Sequence, residues 1–178
     1  MMPRGLLPFI LLAGWILPAG AQPIAFGPGA VGPPGSGAMA TLHAPVGHGP
    51  HPAVVLLHGC SGITPTVRRW AARLADWGYA ALVPDSFGPR GVDNVCGEAG
   101  RVAPGTRSPD ASRVPPRLRA EDAFAAAAYL RSRPDVDPAR VSVVGFSHGG
   151  TTALFVASSA VVERLGARPF ARAVAFYP

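Results

Sequence analysis

Val141-Ser142-Val143-Val144-Gly145-Phe146-Ser147-His148-Gly149-Gly150 runs from a short apolar stretch into a Gly-x-Ser-x-Gly pentad, and then into the small-residue run Thr151 to Ala157. A serine that attacks a carbonyl has to stand on a sharp strand-to-helix turn with its hydroxyl thrust clear of the backbone. Glycines two before and two after it make room, because a bulky side chain at 145 or 149 would clash where strand and helix cross. The helix that follows aims its N-terminal amides at the same point, so the His148 N–H can meet an oxyanion as it forms. In a chain with 22 glycines the pentad alone is a weak signal. A strand before it and a helix after it are the context that gives it weight.

Working outward, that context recurs. Residues 53–57 form a continuous apolar run bounded by Pro52 and His58-Gly59, the pattern of a strand covered on both faces. Helical spacing follows over about 66–77, with Trp70, Leu74 and Trp77 on one side and Gly78 as the stop. Residues 79–83 read as a second buried strand ended by Pro84-Asp85, and 141–144 as a third. An alanine-rich helix is expected over about 116–133, with Phe124, Ala127, Ala128 and Leu130 on its inner face and Pro134 closing it. The helix after the pentad is expected to reach about residue 165, and 173–177 to be a fourth strand. A short strand also fits 38–44. Strands alternating with helices at this spacing imply right-handed crossovers and a parallel sheet. The irregular stretch 86–113 is rich in Gly and Pro, and loops of that length are usually lids or binding loops.

The first residues are read as a targeting signal rather than as fold. One positive charge at Arg4, an apolar run over 6–17 and the small-x-small site Ala19-Gly20-Ala21 make residues 1–21 a secretory signal peptide. The apolar run is too short to anchor in a bilayer. Export implies a periplasmic or secreted chain, with no membrane association after cleavage. Residues 22–37 are a Gly/Pro-rich lead expected to be flexible, and 38–178 hold a single domain.

Composition excludes several classes. All sixteen basic residues are arginine, and the net charge is +6. The arginines are scattered rather than set in a stripe with interleaved aromatics, so nucleic-acid binding is not expected. Cys60 and Cys96 would meet an oxidising compartment, where a Cys60–Cys96 disulfide and a bridge to another chain both fit. No Cys-x-x-Cys is present and His43, His48 and His51 lie in a Gly/Pro-rich stretch, so no metal site is read.

Four stretches in order then become specific. Leu56-Leu57-His58-Gly59-Cys60-Ser61-Gly62, Pro84-Asp85-Ser86-Phe87-Gly88-Pro89-Arg90-Gly91, Asp137-Pro138-Ala139-Arg140-Val141 and the pentad together resemble the dienelactone hydrolase family of α/β-hydrolases, from about residue 38 to the end. The resemblance implies an α/β-hydrolase fold, a mostly parallel sheet with flanking helices. It also implies a serine hydrolase that cleaves a small-molecule ester or lactone through an acyl-serine intermediate, with no cofactor. Ser147 is the expected nucleophile, and the backbone N–H groups of Cys60 and His148 are the expected oxyanion hole. Asp85 reads as holding the loop that begins at Ser86. Arg90 resembles in position an arginine that binds substrate carboxylate, and Asp122 reads as a surface or packing residue.

Two departures from the family pattern matter. The founding dienelactone hydrolases use a cysteine nucleophile, whereas this chain has Ser147, which favours a general esterase over a strict lactonase. The family's triad acid and histidine follow two further strands, about 60 residues or more, while this sequence ends at Pro178. Among the five histidines, His148 adjoins Ser147 with its side chain expected to point away, His58 belongs to the oxyanion loop, and His43, His48 and His51 precede the first buried strand. The expectation is therefore an incomplete copy lacking the last strand-helix units, with a dimer or partner chain covering an exposed last strand. The alternative is a catalytically silent α/β-hydrolase-like binding domain that uses the 86–113 loop.

Overall fold

The computed structural model describes residues 20–25, 39–96 and 114–178. The signal segment 1–19, most of the lead (26–38) and the second part of the long loop (97–113) lie outside the described residues. Six strands form one sheet in the order β1-β2-β4-β3-β5-β6. They are β1 (Ala21–Ala25), β2 (Met39–His43), β3 (His51–Leu57), β4 (Ala80–Asp85), β5 (Val136–Phe146) and β6 (Ala173–Phe176). β3, β4, β5 and β6 run parallel, while β1 and β2 are antiparallel to their neighbours at one side.

Helices cover both faces, which is why β3 and β4 are apolar throughout rather than alternating. Side chains of Val54, Leu56, Ala81 and Val83 pack under α1 (Pro65–Asp76) with Val67, Ala71 and Leu74. Ala53, Val55, Leu57, Ala80 and Leu82 face the other way, against α2 (Pro116–Ser132) and α3 (His148–Ala157). Proline at the first position of α1 needs no N–H partner, and the Thr64 hydroxyl caps that end by accepting from the Val67 N–H at 3.4 Å.

Four local expectations change. Residues 22–25, read as part of a flexible lead, belong to strand β1, paired with β2 from Ala21↔His43 to Ala25↔Met39. Pro23 is tolerated there because β1 is an edge strand and its outer side needs no donor. The helix after Ser147 stops at Ala157 and restarts as α4 (Ser159–Arg164), because Ser158 is extended at φ −71, ψ 126. The inner face of α2 is Arg119, Ala120, Asp122, Ala123, Ala126, Ala127 and Leu130, so Ala128 is outside it and two charged residues are inside. Finally, the start of the 86–113 stretch is ordered: a 3-10 turn spans Gly88–Arg90, and Phe87, Val92 and Val95 are buried with Val114.

Candidate active site

The C-terminal ends of β3, β4 and β5 bring three loops together, the position at which parallel sheets gather their chemistry. Ser147 leaves β5 with φ 51 and ψ −122, a left-handed conformation that side chains rarely adopt. The flanking glycines are required by contact as well as by conformation. A Cβ on Gly145 would strike the Gly149 carbonyl, and one on Gly149 would strike the Leu57 carbonyl. The turn closes with the Ser147 N–H donating to the Phe176 carbonyl at 3.0 Å and the Thr151 N–H donating to the Ser147 carbonyl at 2.9 Å.

The loop after β3 lies against this elbow. A Cβ on Gly59 would sit 3.7 Å from the Ser147 Cβ, in ordinary van der Waals contact, so the loop backbone packs directly beside the serine. Cys60 follows. Its carbonyl accepts from the Val95 N–H at 2.8 Å, and its sulfur is joined to Cys96 in a disulfide with the two Cα atoms 4.9 Å apart. Neither the Cys60 nor the His148 N–H has a hydrogen-bond acceptor among the described residues.

Around the elbow, the histidines are spoken for. His58 is fully buried; its Nδ1–H donates to the Gly59 carbonyl at 2.8 Å and its Nε2 accepts from the Ser86 N–H at 3.3 Å. Burial and the Arg119 cation hold this imidazole neutral, its pKa pushed down to about 3. His148 turns away from Ser147. Its Nδ1 accepts from Arg119 at 2.7 Å, since a guanidinium can only donate, and burial together with that cation lowers its pKa to about 4. His43 and His51 sit at the opposite end of the sheet: His51 opens β3, six residues before Leu57, which places it roughly 20 Å from the elbow. Among the described residues, no imidazole or carboxylate hydrogen-bonds the Ser147 hydroxyl.

The remaining sequence candidates are tied to the backbone and to one another. Asp85 Oδ1 accepts from the Phe87 and Gly88 N–H groups, each at 2.9 Å, and so fastens the turn after β4. Arg90, the candidate for a substrate carboxylate, forms a bidentate pair with Asp122, both contacts at 2.9 Å, and donates to the Ser86 carbonyl at 2.7 Å. Of the two readings of Asp122, surface or packing, burial bears out the second, and the residue is a buried ion-pair partner. A cleft of about 380 Å³ beside the loop after β3 is lined by Ser61, Gly62, Asp85, Phe87 and Asp93 among others. A larger one of about 730 Å³ lies between α2 and residues 165–168, and Ser147 lines neither.

Arg119 is the residue that sequence reasoning missed. It is completely buried in α2, donates to the His58 carbonyl and to His148 Nδ1 at 2.7 Å each, and lies over the Phe87 ring at 5.4 Å. Burial lowers its pKa to about 10, so it is still a cation at neutral pH. The available signal was its spacing from Asp122, which puts both charges on the alanine face of α2.

With this geometry in place, comparison with known proteins decides the family: the dienelactone hydrolase family model matches residues 38–178. The chain belongs to the dienelactone hydrolase family. It is 28% identical over 120 residues to a provisionally named carboxymethylenebutenolidase of Methylorubrum extorquens, covering 67% of this chain and 40% of that protein. It is 29% identical over 133 residues to a provisionally named 2-oxo-3-(5-oxofuran-2-ylidene)propanoate lactonase of a Bradyrhizobium species, covering 75% and 51%. The structure is similar in fold to that of a provisionally named dienelactone hydrolase from Klebsiella pneumoniae, at 24% identity and a TM-score of 0.59, over 80% of this chain and 57% of the other. This dienelactone hydrolase family chain thus spans about half the length of the curated relatives it matches. Among the described residues no helix is long and apolar enough to cross a membrane.

Proposed function

We propose that this chain carries the nucleophile and oxyanion hole of an exported serine hydrolase that opens an ester or lactone through an acyl-Ser147 intermediate. The observation that carries the reading is Ser147 in its left-handed elbow with the Gly59 backbone drawn up against it. In the reaction, Ser147 Oγ attacks the substrate carbonyl carbon and loses its proton to a general base. The carbonyl oxygen becomes the oxyanion, met by the Cys60 and His148 N–H groups. The alcohol then leaves with a proton, and water hydrolyses the acyl-serine by the same path. The relatives named as a lactonase and a butenolidase support a lactone or related ester as the substrate class.

The base, and the acid that orients it, are proposed to come from outside these 178 residues, on an extension of the chain or on a partner chain beside β6. Two findings support this: no described base reaches Ser147, and the match covers only 40% and 51% of the two curated relatives. The signal-like residues 1–21 and the Cys60–Cys96 disulfide support export to the periplasm or beyond.

The test is to read the codons that follow Pro178, express the product with and without that continuation, and assay p-nitrophenyl acetate hydrolysis. The expected result is that the 178-residue chain is no faster than its Ser147→Ala variant, while a product continuing into strands that bear Asp and His shows Ser147-dependent turnover. An extended product whose activity survives Ser147→Ala would overturn the nucleophile assignment. Ligand binding without hydrolysis by the extended product would favour the silent binding domain instead.

A further inference from the structure

The two amides proposed as the oxyanion hole belong to separate parts of the fold: Cys60 to the loop after β3, His148 to the turn after β5. For both to serve one oxygen, their spacing has to be held to a fraction of an ångström before substrate arrives. Backbone pairing of β3 with β5 ends at Leu57↔Gly145, short of both. Beyond that point Gly59 and Gly149 bring the two backbones into contact, and the side chain hydrogen-bonded to both, among the described residues, is Arg119 of α2.

We propose that Arg119 is a positioning residue for the oxyanion hole, its guanidinium clamping the His58 carbonyl and His148 Nδ1 so that the Cys60 and His148 amides keep a fixed separation. The inference rests on the hydrolase reading above. The planar fork of arginine suits the task, because two of its nitrogens donate in fixed directions at once, each here at 2.7 Å. Phe87 lies against the fork, its ring centroid 5.4 Å from the guanidinium carbon, and meets His58 in a T-shaped pair with ring centroids 4.5 Å apart. The residue is costly as a packing element: it is 0% exposed, and its Nε is buried with no hydrogen-bond partner. A buried cation with an unpaired donor is harder to accommodate than an apolar side chain of similar volume. A role in packing alone would be met more cheaply by Met or Leu.

The test uses the 178-residue chain and needs no general base. Phenylboronic acid adds to a serine as SerOH + RB(OH)2 + OH− → SerO–BR(OH)2− + H2O, placing a boron-bound oxygen in the oxyanion hole. Adduct formation is followed by 11B NMR at mildly alkaline pH, with Ser147→Ala as the blank. Wild type is expected to give a Ser147-dependent tetrahedral signal. Arg119→Met is expected to bind about 10-fold or more weakly even where it is fully folded by circular dichroism. Arg119→Lys, which can reach one acceptor but not hold both, is expected to fall between. His148→Leu keeps the amide and deletes the Nδ1 anchor, and its weakened binding would serve should Arg119→Met fail to fold. In the 15N spectrum, His148 is expected as the Nε2–H tautomer in wild type and as a tautomer mixture in Arg119→Lys. Folded Arg119 and His148 variants with wild-type affinity would overturn the positioning role and leave the nucleophile reading intact. Absence of any Ser147-dependent adduct in wild type would sink the hydrolase reading, and this inference with it.

Discussion

Ser147 holds its place against its own backbone preference. A non-glycine residue in such a region costs about 1–3 kcal/mol, whereas glycine enters it freely. At φ 51 and ψ −122, Ser147→Gly is therefore expected to stabilise the chain by about 1 kcal/mol, after allowing for the extra freedom it gives the unfolded state. Ser147→Ala, which keeps the Cβ, should leave stability nearly unchanged. Urea midpoints of the three chains decide it, and equal midpoints for the Gly and Ala variants would mean the elbow is unstrained. A second consequence concerns His58, which is surrounded by Arg119, His148 and Asp85 and stays neutral to about pH 3 when folded, against an ordinary value of 6.5. The unfolded chain takes up the proton first, so stability is complete above pH 6.5 and drains away as the pH falls toward 3, by roughly 4 kcal/mol at the far end. His148 adds to the loss between 6.5 and about 4. Denaturant unfolding at pH 7, 5.5 and 4.5 should show the decline, and His58→Gln should flatten it; an unchanged slope in that variant would place the titration elsewhere.

At the level of elements, the residues that form a recognisable local pattern were legible. The apolar runs of β3 and β4, the glycine stop of α1 and the strand-pentad-helix order around Ser147 all follow from short-range spacing. The break between α3 and α4 was also encoded, in Ser158-Ser159, since serines favour helix ends over interiors. What could not be read depended on partners far along the chain. Arg119 meets residues 29 and 61 positions away, and Arg90 meets Asp122 across 32, so nothing in their own neighbourhoods marks them as buried. β1 was hidden for the same reason: Pro23 argues against a strand until the edge it occupies is known. The loop after β3 shows what a long-range tie contributes. Cys60 and Cys96 close a loop over a sequence separation of 36, and such a bridge typically adds about 2–4 kcal/mol. Cys96→Ser is expected to lower unfolding stability by that amount and to speed hydrogen exchange at Gly59–Gly62, where the loop also leans on Val95. Exchange accelerated uniformly across the sheet instead would show that the bridge acts on global stability alone.

For the molecule as a whole, the open side of β6 is the feature from which an expectation about behaviour in solution can be argued. Val174, Phe176 and Tyr177 are 42%, 38% and 72% exposed, although Phe176 stacks on Phe146 with ring centroids 5.0 Å apart. β6 pairs with β5 on one side, and among the described residues nothing pairs with the other. An apolar strand with a free row of backbone donors and acceptors is a template for another chain. The pairing register says which groups are free: the Arg172 and Phe176 carbonyls accept from β5, so by strand alternation Ala173 and Ala175 direct their amides outward. Sedimentation velocity across a concentration series should show the wild-type chain self-associating. Ala175→Pro removes one outward N–H without touching a bond to β5, and a proline on a strand edge is sterically acceptable. That variant is expected to keep the circular dichroism of the wild type while shifting association to higher concentration. If wild type stays monomeric throughout, the twist and side chains of β6 already block edge pairing. If Ala175→Pro associates as readily as wild type, contact is made through the apolar side chains of Val174 and Phe176 rather than through the strand edge, and Val174→Lys becomes the substitution that should abolish it.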